Sequence, residues 1–135
     1  MFNLLVKGGG WNESADWLPD ERVFEYTVPS LADRFRRRGE PPADAVRDLP
    51  TIFMPEIGGA DEDARMGRIV RFRVGDKRVG LDYALEDHRI PLGEIQRLAS
   101  ELDIDRFEFN RTHWAIKDVD PSQRLRVECF RERYQ

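Results

Sequence analysis

Phe2, Leu4 and Val6 alternate with Asn3 and Leu5 and run into Gly8-Gly9-Gly10, which predicts a first strand closed by a turn. Residues 11–21 read as a loop, with Trp11 and Trp17 packed back onto the core as anchors. Phe24, Tyr26 and Val28 alternate with Glu25 and Thr27, predicting a second strand over residues 22–28 that Pro29 stops. Ser30 suits an N-cap, Leu31 and Phe35 share a face of the helix that would follow, and Gly39, Pro41 and Pro42 end it. Residues 44–49 allow one further helical turn, residues 51–54 a short buried strand before Pro55, and residues 58–65 a mobile acidic loop.

The clearest pattern lies in the middle of the chain. Val70, Phe72 and Val74 alternate with Arg71 and Arg73, Val79, Leu81 and Tyr83 alternate with Gly80 and Asp82, and Gly75-Asp76-Lys77 separates the two runs. Residues 68–85 therefore read as a β-hairpin with an apolar row on the core and an arginine row outside. Leu92, Ile95, Leu98, Ala99 and Leu102 recur at helical spacing after Pro91, predicting an amphipathic helix over residues 91–102. Phe107 and Phe109 alternate with Glu108, and the apolar phase then switches to Trp114 and Ile116, so a bulge or break is expected near residues 110–112. In residues 121–134, Asp120-Pro121 could start a helix, yet Leu125, Val127 and Cys129 alternate with Arg124, Arg126 and Glu128; the alternation is taken as a strand. Together these elements predict one α+β domain over residues 1–135. Its core would be a mostly antiparallel sheet of about five to six strands with two or three helices packed on one face.

Composition narrows the class. The 40% apolar content is ordinary for a folded chain of 135 residues, and 36% charged is high. The balance of 22 bases against 26 acids gives a net charge of −4, which offers no general field for nucleic acid, so nucleic-acid partners are disfavoured. One cysteine, Cys129, excludes an internal disulfide and fits a reducing compartment. Residues 1–6 lack the length and basic flank of a signal peptide, and no apolar run approaches the roughly 20 residues that span a bilayer. A cytoplasmic protein without a membrane partner is the expectation.

Candidate chemistry concentrates in residues 110–120. If that stretch is extended, Arg111, His113 and Lys117 project to one face and could grip an anionic ligand, with Trp114 and Asp118 beside them as binding groups. His113 is then the candidate acid/base for a small hydrolase or transferase acting on a phosphorylated or anionic substrate. The structural alternative is a solvated face paired to neighbouring acids. His88 and His113, with Asp87, Asp118 and Asp120, match no zinc spacing, so no metal and no cofactor is expected. Gly8-Gly9-Gly10 lacks the Lys-Ser/Thr pair of a phosphate loop, and Cys129 alternates with buried positions where a thiolate is disfavoured. Arginines at 34, 36, 37, 38, 71, 73, 124, 126, 131 and 133, interleaved with Phe35, Phe72 and Phe130, raise nucleic-acid binding through arginine-rich faces as a lesser reading.

With no catalytic signature, the leading expectation is a non-catalytic module that binds another protein or a small anionic ligand, self-association included.

Overall fold

The computed structural model describes residues 1–11, 14–37, 40–59 and 63–125. Along them run β1 (Phe2–Lys7), β2 (Ala15–Pro19), α1 (Pro29–Phe35), β3 (Thr51–Pro55), β4 (Asp63–Gly75), β5 (Arg78–Pro91), α2 (Leu92–Arg97), β6 (His113–Lys117) and α3 (Pro121–Arg124). Short 3-10 turns occupy Asp20–Arg22, Asp44–Asp48 and Arg106–Asn110. The strands form one six-stranded sheet in the order β2-β5-β4-β3-β1-β6. Four of its neighbouring pairs are antiparallel and β1 with β3 is parallel, so the sheet is mixed. With α1, of seven residues, as the longest helix among the described residues, the class is α+β or mostly β.

The middle of the sheet is buried on both sides. Phe2, Leu4 and Val6 of β1, Ile52 and Met54 of β3 and Ala115 of β6 face a first core, while Leu5, Phe53, Trp114 and Ile116 face a second. Strands covered on both faces need near-continuous apolar runs, and Phe2–Lys7 and Thr51–Pro55 have them. Leu92 and Ile95 of α2 join the first core and Leu31 and Phe35 of α1 the second, so the helices do not share one face.

The predicted hairpin is present and longer than its alternation suggested. β4 and β5 pair from Asp63↔Pro91 to Gly75↔Arg78, with register shifts between Arg65 and Gly67 and between Ile69 and Arg71 that let the ribbon bend. β4 begins inside the stretch expected to be an acidic loop. The turn at residues 76–77 places Lys77 at φ 58°, where a two-residue link needs a left-handed position.

Five further expectations are corrected. Residues 22–28 are not a strand: Phe24 and Tyr26 sit at φ 62° and 55°, and the segment turns repeatedly. Residues 15–19, expected to be loop, form β2 on the far edge. The helix over residues 91–102 stops at Arg97, and Leu98 and Leu102 reach the first core from irregular turns, with Asp103 at φ 60° ending them. Phe107 and Phe109 lie in a 3-10 turn, one 60% exposed and the other 4%, because Asp105 and Glu108 form a reciprocal capping box there. The expected break at residues 110–112 is where this turn gives way to β6. Residues 121–124 make a helical turn capped by Asp120, and Leu125 is buried in the first core. The strand expected across Val127 and Cys129 lies outside the described residues. No helix among the described residues is long and apolar enough to cross a membrane.

Two glycines give contrasting expectations. A Cβ on Gly67 would run into the Ala84 carbonyl oxygen and lie 3.0 Å from the Phe53 ring, so Gly67→Ala is expected to cost about 2–3 kcal/mol in urea unfolding. Gly93, in α2, has nothing within 4 Å, and Gly93→Ala is expected to add about 0.5 kcal/mol through helix propensity. Equal effects of the two changes would contradict the packing described at Gly67.

Candidate functional site

β6 ends the sheet on one side, paired to β1 from Phe2↔Lys117 to Val6↔His113. Its outer edge is covered by residues 23–28 rather than by another strand. Val23 bridges to Trp114, the Thr27 hydroxyl accepts from the Ile116 amide at 3.0 Å, and the Phe24 ring packs edge-on against Trp114 with centroids 4.9 Å apart. Holding two aromatic residues in the left-handed region costs on the order of 1–2 kcal/mol each, which these contacts offset. Backbone strain of this kind marks a segment whose conformation is dictated by what it must touch.

Alternation along β6 puts His113, Ala115 and Lys117 on the first-core face. Between the two polar residues lies Glu108, with no exposed surface, delivered by the 3-10 turn that precedes the strand. Glu108 Oε2 accepts from the Asp105 amide at 2.6 Å and from Lys117 Nζ at 2.9 Å, and Oε1 lies 2.9 Å from His113 Nε2. His113 Nδ1 is 2.5 Å from the Arg111 carbonyl. A carbonyl can only accept, so Nδ1 carries hydrogen and one hydrogen is shared between Nε2 and Oε1. Lys117 Nζ also donates to the Tyr26 carbonyl at 3.0 Å, and the Tyr26 ring lies edge-on to the imidazole with centroids 5.2 Å apart. One carboxylate thus joins the 3-10 turn, β6 and the strained segment.

Outside this cluster, Arg111 grips Glu25 with two parallel bonds of 2.6 and 2.8 Å. The hydrogen bond from Arg111 holds the Glu25 carboxyl below its ordinary value, and the same bond raises the guanidinium. Residues 26–28 and 100–105 stand apart over Glu108 and Lys117, leaving a recess of about 450 Å³. Asp103 and Asp105 lie on one side of it, Tyr26 and Val28 on the other, and Lys117 lies at depth with 3% of its side chain exposed.

Of the residues singled out in the sequence, His113 and Lys117 do share a face and meet through Glu108. Arg111 does not join them there: it precedes the strand, so its side chain turns to Glu25 and only its carbonyl reaches His113. Trp114 points to the opposite core, with Nε1 donating to Asn3 Oδ1 at 3.0 Å. Asp118 is exposed beyond the end of β6. His113 is fully buried with both ring nitrogens engaged. Glu108 was missed among 26 acids, although the spacing of Asp105 and Glu108 is that of a capping box. Glu25 and Tyr26 carried no local signal. Among the described residues no group of three or more His, Cys, Asp or Glu is placed to hold a metal ion. Comparison with known proteins finds no matching family model, no matching curated protein and no matching solved structure.

Two measurements test this arrangement. Removing the charge of Glu108 leaves an ammonium buried without its counterion, so Glu108→Gln is expected to lower stability by about 3 kcal/mol in chemical denaturation. A loss below about 1 kcal/mol would mean that solvent already reaches the cluster. Because the folded state depresses Glu25, its contribution is complete above the ordinary value of 4.5 and disappears as the pH falls through the lower, folded value. The stability gap between wild type and Glu25→Gln is therefore expected to be flat near neutrality and to close in acid; a gap that widens in acid would contradict the pairing.

Proposed function

We propose that this chain is a non-catalytic, cytoplasmic binding module and that it receives a segment of another protein at the recess beside β6. The observation that carries the reading is where apolar surface is left uncovered. Of the five large apolar side chains exposed among the described residues, Tyr26 and Val28 wall the recess, and Phe107 lies in the turn between Asp105 and Glu108, which also line it. Exposed aromatic side chains are the groups that most often anchor a bound protein segment, and they carry most of the affinity where they do. Lys117 offers a hydrogen-bond donor at the bottom and Asp103 and Asp105 offer acceptors at the rim, which suits a peptide that brings both a carbonyl and a donor group. The single cysteine favours the reducing compartment. An acid/base role for His113 has no such support, since no part of its side chain meets solvent.

Selection of displayed random peptides on the purified protein tests the reading. Peptides recovered on wild type are expected to bind at least about tenfold more weakly to Tyr26→Asn and to Phe107→Ser, a loss of about 1.4 kcal/mol. Asn tolerates the left-handed backbone at position 26, so that variant removes the ring without adding strain. Val74→Ser, on the hairpin, is expected to bind as wild type. Peptides indifferent to both ring deletions, or no enrichment at all, would sink the assignment.

A further inference from the structure

The distal hairpin carries a second surface. β4 beyond Met66 and β5 before Ile90 contribute nothing to the first core, whereas Ile69, Val79, Leu81 and Tyr83 belong to the second. Among the described residues, none joins the first core along this arm, so they leave the sheet face opposite the second core uncovered there. The alternation and the register place Arg68, Arg71 and Arg73 of β4, Arg78 and Asp82 of β5 and Trp17 of β2 on that face. All four arginines are exposed.

Trp17 lies across two glycines. A Cβ on Gly75 or Gly80 would come within 3.1 Å of its ring, so their lack of side chains is what lets the indole lie on the backbone. The guanidinium of Arg78 sits 4.1 Å from the ring centroid and that of Arg73 5.0 Å. Asp82 accepts from Arg71 at 2.7 Å and from Arg73 at 3.0 Å, so one carboxylate orients two cations and cannot neutralise both. At the turn Asp76 is offset by Lys77. The net charge of −4 conceals this local surplus of cations.

We infer that this face of the arm binds single-stranded nucleic acid, with Arg68, Arg71 and Arg73 on phosphates and the Trp17–Arg78 stack under a base. The charge suits any polyanion, but the flat indole and guanidinium planes favour one that brings its own rings, because every base has a face to stack. An acidic peptide would meet the charge and leave the stack unused. An anionic bilayer would also meet the charge but brings no ring to lie on the indole and guanidinium planes. The surface is separate from the recess beside β6, so its test is independent of that reading.

Fluorescence anisotropy of a labelled oligodeoxythymidine, followed together with tryptophan emission, decides the matter. Trp11 and Trp114 are 4% and 0% exposed, so quenching by a bound base reports Trp17. Binding is expected at low salt with quenching, and with a log–log salt slope of about −2 for three phosphate contacts. The Arg71→Gln, Arg73→Gln, Arg78→Gln combination is expected to weaken it at least about tenfold while near-ultraviolet circular dichroism stays native. Should that variant fail to fold, Trp17→Leu alone serves, with loss of quenching and weaker binding expected. No binding at low salt, binding without quenching, equal affinity and quenching with heparin, or preference for phosphatidylserine vesicles would each overturn the inference.

Discussion

Glu108 is a carboxylate without exposed surface, held between a main-chain amide, an ammonium and an imidazole. Desolvating a charge of this kind costs several kcal/mol unless each lone pair finds a donor, and here the donors come from two stretches of chain. Asp105 belongs to the 3-10 turn, Lys117 and His113 to β6, and Lys117 in turn fixes the carbonyl of Tyr26. The position of the strained segment therefore depends on a bond network that must form as a whole. A hydrophobic substitute for the carboxylate would fill the space but could not tie these parts to one another.

That dependence explains how one end of the sheet is finished. Strand edges are ordinarily protected by charge, proline or brevity. On β6 the protection is a crossing segment, positioned from inside by the buried cluster and from outside by the Arg111–Glu25 fork. The same crossing holds Tyr26 and Val28 away from residues 100–105, so the recess is a by-product of edge protection rather than a gap in packing.

The hydrophobic pattern was most legible where one face of a ribbon is wet. The hairpin of β4 and β5 followed directly from alternation, and β1 and β3 from short apolar runs. Legibility failed where a side-chain bond overrode periodicity. Phe24, Tyr26 and Val28 alternate as a strand would, yet their backbone is set by contacts to Trp114, Ile116 and Lys117, far away in sequence. Phe107 and Phe109 alternate as well, and a local capping box turned them into a helical turn. At the candidate site, His113 and Lys117 could be read because they lie two apart from Ala115 on one strand. Their partner Glu108 could not, since nothing in a sequence so rich in acids marks which one is buried. That no described residue covers the hairpin's outer face depended on where α2 packs, which no local pattern states.

The two ends of the sheet are unequal. Residues 23–28 occupy the outer side of β6, whereas β2 has β5 alone as its strand partner among the described residues. Backbone added beside β6 would first have to displace residues 23–28, with loss of the bond from the Ile116 amide to Thr27.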